Sequence, residues 1–209
     1  MLMEEKSNDI AQELALLHSL DGGDYSRQVE RIAKRNEFYP LASEDDIFVC
    51  GGDGGSDYGH LLNAARKAVF HGYRVYILPN PKGLRTPDFI FEKKGIYRVY
   101  DLKTIIGKNS AINRLRESIG QANRVLLNMR SEYKAKVLAL DIQIYFQTSP
   151  EALEVLVFKG RKHISIKRNM AMSRQFMATF RKLYERQKSP PARRLLIKWS
   201  RNVLSYSPR

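Results

Sequence analysis

Cys50 is the only cysteine in the chain. One thiol excludes an internal disulfide and a cysteine-rich zinc site, and it fits a reducing compartment. No neighbouring base or triad pattern supports Cys50 as a nucleophile, so it reads as a small core residue. No apolar run approaches the roughly 20 residues that a membrane-spanning helix requires. The N-terminus, Met1-Leu2-Met3-Glu4-Glu5, lacks the basic and apolar regions of a secretory signal. A cytoplasmic protein with no signal peptide and no membrane partner is therefore expected. The glycine-rich run Gly51-Gly52-Asp53-Gly54-Gly55 lacks the Gly-Lys-Ser/Thr of a P-loop and reads as a flexible turn.

Acidic residues are also scarce over most of the chain. Residues 58–209 hold 9 Asp and Glu against 31 Lys and Arg, a net charge of +22. Residues 1–57 reverse the balance, with 13 acids against 5 bases and a net charge of −8. A segment that basic attracts polyanions through its field and through counterion release. Nucleic acid ranks ahead of an acidic protein partner or an anionic membrane surface. The 209 residues, 43% of them hydrophobic, suffice for one packed domain with extensions.

The spacing of apolar residues suggests a helix over residues 4–18, with Ile10, Leu14 and Leu17 on one face. Asp21-Gly22-Gly23-Asp24 breaks it, and a second helix is expected over residues 25–35. Ile47-Phe48-Val49-Cys50 is a short apolar run. From Tyr58, Leu61, Leu62, Ala65, Ala68 and Val69 outline a helix that Gly72 can end. Residues 73–78 alternate like a strand and stop at Pro79. Strands over 87–92 and 96–104 are joined by the turn Lys93-Lys94-Gly95.

A helix is then expected over 110–129, with Ile112, Leu115, Ile119, Ala122 and Leu126 on one face, and a strand over 137–147. Further strands are expected over 153–158 and 163–166, and a helix over 170–187. Ser189-Pro190-Pro191 marks a break. Residues 193–209 read as a basic amphipathic segment. The order helix, strand, hairpin, helix, strand describes an α/β fold, a mixed central sheet flanked by helices. Three regions follow: an acidic helical arm over 1–45, a central domain over 46–168, and a basic helical extension over 169–209.

Asp101 and Lys103 are two apart in a strand, so both project from one face while Leu102 takes the other. Asp88 lies on the partner strand of the predicted hairpin, where pairing can set it beside Asp101. Two carboxylates that close repel unless a cation lies between them, and hard oxygen donors suit Mg²⁺ or Mn²⁺. Lys103 is placed to orient a water or neutralise charge on a phosphorane. A competing reading makes Asp101 and Lys103 a solvated strand face and Asp88 a turn residue. Lys108, Arg114, Arg116 and Arg124 are available to hold phosphates, and Tyr97 and Tyr100 to stack on unpaired bases.

The segments Thr86-Pro87-Asp88-Phe89, Tyr100-Asp101-Leu102-Lys103-Thr104 and Gln121-Ala122-Asn123-Arg124-Val125 together resemble the PD-(D/E)XK nucleases. They are most similar to the C-terminal toxin domains of contact-dependent growth inhibition proteins, often tRNA nucleases. Those domains also carry a helix and a Gly-x-x-Val strand ending in Leu-Pro, as Gly72 to Pro79 do here. The resemblance spans about Tyr58 to Gln147. It implies a restriction-endonuclease-like core, Asp88 and Asp101 as metal ligands, Lys103 as the catalytic lysine and Gln121 as a helix residue facing the site. Gln121 as ordinary helix surface stays open. The family often places a glutamate in the first helix. This chain has none there, and Asp57 and His60 are the nearest substitutes.

The leading expectation is a metal-dependent hydrolase of phosphodiester bonds in RNA, tRNA included, or DNA. Toxin-like relatives imply delivery into a target cell and an inhibitor or immunity protein as partner. Two alternatives remain: a non-catalytic nucleic-acid-binding module on a degenerate nuclease fold, and a protein-assembly factor using the acidic arm and the basic tail.

Overall fold

The computed structural model describes residues 9–20, 23–34, 38–50, 58–79, 85–107 and 111–185. The glycine-rich run 51–55, Asp57, Lys108, the break at 189–191 and the basic segment 193–209 lie outside the described residues.

Among the described residues, eight strands form one mixed sheet whose spatial order follows the chain. They are β1 (Tyr39–Leu41), β2 (Glu44–Val49), β3 (Arg74–Ile77), β4 (Phe89–Lys93), β5 (Ile96–Ile105), β6 (Arg124–Met129), β7 (Glu154–Lys159) and β8 (Lys162–Lys167). The pairs β2–β3, β5–β6 and β6–β7 are parallel and the rest antiparallel. Each parallel step requires a crossover. The crossovers contain α3 (Tyr58–Phe70), α4 (Ala111–Glu117) and α5 (Ala135–Thr148). Helices α1 (Ile10–Ala15) and α2 (Gly23–Lys34) precede the sheet, and α6 (Arg168–Ala171) and α7 (Phe176–Glu185) follow it. The expected α/β class, a mixed sheet flanked by helices, is what the chain forms. No helix among the described residues is long and apolar enough to cross a membrane.

Strand alternation sorts the core into clusters. Phe89, Phe91, Tyr100, Leu126 and Phe158 pack with Leu61, Ala64, Ala65 and Ala68 of α3. On the other side, Ile105, Val125, Leu127, Val155 and Val157 pack with Leu115 of α4 and Leu138, Ile142 and Phe146 of α5. Leu14 and Leu17 close a third cluster over Ile90 and Val99. Burying each such side chain stabilises the fold by about 1.5–3 kcal/mol before entropy is counted.

The β4–β5 hairpin is built as expected. Lys94 and Gly95 both take positive φ, 56° and 74°, as a tight turn matched to the strand twist requires. The pairing Phe89–Tyr100, Ile90–Val99, Phe91–Arg98 then follows in register.

Two expectations fail. Residues 110–129 are not one helix: α4 stops at Glu117, turns follow through Gln121, and β6 begins at Arg124. Gly120, at φ 88°, takes a left-handed conformation that ends the helix cheaply. Residues 137–147 are not a strand but lie within α5. Its buried positions 135, 138, 139, 141, 142, 145 and 146 follow helical spacing. The expected order therefore holds through α3, β3, the β4–β5 hairpin and the start of α4, and fails beyond it: β6 falls within the expected helix and α5 replaces the expected strand. The described part of the helix expected over 170–187 splits into α6 and α7, and of the helix expected over 4–18 the described part forms α1 (Ile10–Ala15) and the turns after it.

Candidate active site

The sheet register places the acid pair. Asp88 directly precedes β4 and Asp101 directly follows Tyr100, the partner of Phe89; the Asp88 amide donates to the Tyr100 carbonyl at 3.0 Å, and the two carboxyls lie close enough to interact. Tyr100 and Leu102 belong to the α3 side of the sheet, so alternation puts Asp101 and Lys103 on the opposite face. Asp88 Oδ2 accepts a hydrogen bond from the Leu102 amide at 2.7 Å, which fixes that carboxylate across the strand end. Lys103 Nζ donates to Asp101 Oδ1 at 3.0 Å and lies 2.7 Å from Oδ2. Oδ2 itself is buried without a well-aligned hydrogen bond.

Asp88, Asp101 and Lys103 line one cavity of about 350 Å³ at the end of β5. His60 and Leu61 border it from α3, Thr104 and Ile106 from β5 and the residue after it, and Arg114, Glu117 and Gln121 from α4 and the turn beyond. Asp101 is only 1% exposed. Burial pushes its carboxyl well above the usual range, and the Asp88 charge pushes the same way, while Lys103 pulls it down. Two neighbouring carboxylates supply the oxygen donors that hard cations take. A divalent ion between them would relieve the repulsion that now falls on Asp101, so Asp88 and Asp101 fit Mg²⁺ or Mn²⁺. No group of three or more His, Cys, Asp or Glu side chains converges among the described residues.

The remaining expected site residues fare differently. His60 does border the acid cavity, with Nδ1 3.4 Å from an Arg130 Nη1. Gln121 borders it too, but from the turn after α4 rather than from a helix, with Nε2 donating to the Glu117 carbonyl at 2.6 Å. Arg114 lines the cavity and pairs with Glu117 at 2.8 Å. Arg116 is exposed on α4 and is not among the lining residues. Arg124 is no phosphate ligand: its guanidinium is nearly buried and pairs with Glu13 at 2.7 Å. Tyr100 cannot stack on a base, because it is fully buried and its hydroxyl donates to Glu154. Tyr97 packs near Tyr76, ring centroids 6.3 Å apart.

Two polar lining residues were missed from sequence. Glu117 brings a third carboxylate to the cavity rim, and its spacing of three from Arg114 was the available signal. Thr104 follows Lys103 directly, and its Oγ1 is buried with no hydrogen-bond partner among the described residues.

Comparison with family models, curated proteins and solved structures returns no match to the chain.

Proposed function

We propose that the chain is a metal-dependent nuclease that hydrolyses phosphodiester bonds in RNA, tRNA included, or in DNA. One observation carries the reading: Asp88, just before β4, and Asp101 and Lys103 of β5 line one cavity, with the two carboxyls close enough to interact. The strongly basic balance of residues 58–209 supports a polyanionic substrate. The resemblance to PD-(D/E)XK nucleases, toxin domains among them, supports the same assignment of roles.

Asp88 and Asp101 would hold Mg²⁺ or Mn²⁺, which supplies Lewis acidity toward a phosphoryl oxygen. The Leu102 amide keeps Asp88 aimed at the site. Lys103 sets a positive charge beside the reacting phosphate, offsetting the charge that builds there, and its ammonium can hold the attacking water. Arg114 lies at the cavity rim, placed to position the substrate phosphate. Toxin-like relatives suggest an inhibitor or immunity protein as a further partner, and delivery into a target cell.

The test incubates purified full-length protein with tRNA, single-stranded DNA and duplex DNA, with Mn²⁺ or with chelator. Cleavage should require the cation and vanish in Asp101→Asn. Equal, metal-independent activity of the wild type and Asp101→Asn would refute the assignment.

A second reading, a non-catalytic nucleic-acid-binding module on the same scaffold, is favoured by the direct Lys103–Asp101 ion pair. It predicts salt-sensitive binding to nucleic acid with no response to Mn²⁺.

A further inference from the structure

Helix α3 carries a polar stripe on the side toward β6. His60, Asn63 and Lys67 recur at helical spacing. Beneath them, the fully buried Asn128 of β6 joins two of the three. Lys67 Nζ donates to Asn128 Oδ1 at 2.6 Å, and Asn128 Nδ2 donates to Asn63 Oδ1 at 3.1 Å. Arg130 follows β6 and reaches His60. Asn128 pairs in register with Thr104 of β5, and both Thr104 and His60 line the acid cavity. The stripe is therefore continuous with the site already described.

Several other cations pair with a carboxylate: Arg66 with Glu44, Arg124 with Glu13, Lys159 with Glu132 and Arg181 with Glu185. Lys67 and Arg130 have no acidic partner among the described residues, and their polar contacts are to the neutral Asn128 and His60. They also repel each other, and burial together with the Arg130 charge holds the Lys67 ammonium below its ordinary range. Two neighbouring cations with a ring nitrogen nearby provide donors for an anion of tetrahedral shape.

We infer that Lys67 and Arg130, with His60, form a subsite for a backbone phosphate of nucleic acid beside the Asp88–Asp101 cavity. The substrate strand then runs from the acid pair past the start of α3 to the end of β6. This inference takes its substrate class from the nuclease reading, but the subsite binds phosphate with or without hydrolysis at the acids.

The experiment measures anisotropy of fluorescein-labelled single-stranded RNA and DNA oligomers on the full chain in chelator, across a salt series. In parallel it measures Mn²⁺-dependent cleavage. The proteins are wild type, Lys67→Gln, Arg130→Gln, the double variant, and Lys136→Gln as an exposed control on α5. Lys67→Gln retains a donor for Asn128, and Arg130 is exposed, so the fold survives in at least the second variant; thermal melts check this.

The double variant should bind about tenfold more weakly or worse, with the salt slope lower by about one per contact removed, and Lys136→Gln should stay near wild type. If the wild type cleaves, KM should rise in the double variant with kcat largely kept. Binding and slope within error of wild type overturn the subsite, and so does a wild type that binds neither oligomer. Cleavage by the wild type with an unchanged double variant removes the subsite and keeps the nuclease. Weakened binding in the double variant without wild-type cleavage keeps the subsite and removes the nuclease.

Discussion

Arg124 Nη1 lies 2.7 Å from Glu13 Oε2, joining residues 111 apart in the chain. Arg124 also approaches Glu154 at 3.8 Å, whose carboxylate takes the Tyr100 hydroxyl. The acidic N-terminal helix is thereby fastened to β6, and the sheet to itself, by one guanidinium.

Arg124→Met should therefore destabilise sharply. It removes the cation from two nearly buried carboxylates, a loss on the order of 3 kcal/mol. Glu13→Gln should cost less, because Arg124 retains Glu154. Urea denaturation of the two variants measures the difference. Equal small effects, or a large change in oligonucleotide affinity without a stability change, would return Arg124 to the list of phosphate ligands.

Cation binding should stabilise the fold through Asp101. Its folded pKa is raised from 3.8, so folding takes up a proton there. The associated stability is complete below about pH 3.8 and is lost as pH rises through the folded value. A divalent ion favours the ionised form, so its stabilising effect should grow with pH. At a hundredfold excess over Kd, Mn²⁺ should add about 2.7 kcal/mol, or roughly 5–10 °C in Tm. Asp88→Asn and Asp101→Asn should lose this response, which melts at several pH values with and without Mn²⁺ can read. A pH-independent gain that survives in Asp101→Asn would place the ion elsewhere.

The hairpin that brings Asp88 near Asp101 was legible because its signals are local: alternation on both strands and a Lys-Gly turn. The break between α4 and β6 was not. Ile112, Leu115, Ile119, Ala122 and Leu126 continue a helical period across it, and β6 is buried on both faces, which erases strand alternation. Helix α5 misled in the other direction, because Val137, Ile142, Ile144, Tyr145 and Phe146 favour strands locally while tertiary packing fixes a helix. Arg124 read as a free cation because its partner lies in another element, and nothing in the local sequence points to Glu13. Pairings across the fold escape any local window.

His163 should make the protein acid-sensitive. Its Nε2 lies 2.7 Å from the Tyr73 hydroxyl. Burial, with His71 and Lys93 adding to it, lowers its pKa from 6.5 to about 4. A depressed folded value means the neutral ring is favoured on folding. That stability is complete above about pH 6.5 and is lost as pH falls toward the folded value near 4. The ring is partly solvated, so the loss is modest. His163→Gln keeps a partner for Tyr73 and removes the titration, so its Tm should fall less than that of the wild type across this window. Parallel curves for the two proteins would show that His163 carries none of the acid sensitivity.

Lys103 separates chemistry from binding. Its side chain is 13% exposed beside an Asp101 that is 1% exposed, and its charge works against the burial that raises the Asp101 pKa. Lys103→Met removes the cation that pairs with Asp101. If Lys103 acts on charge that develops at the reacting phosphate, kcat should fall by about 10²–10³-fold. Oligonucleotide affinity in chelator should change by only a few-fold, because one phosphate contact among several is lost. Lys103→Arg restores charge but not the compact geometry of the ammonium, so it should recover affinity without recovering rate. Single-turnover cleavage alongside anisotropy separates the two quantities. Were kcat unchanged and affinity alone reduced, Lys103 would be an ordinary phosphate contact, and its pairing with Asp101 would be structural.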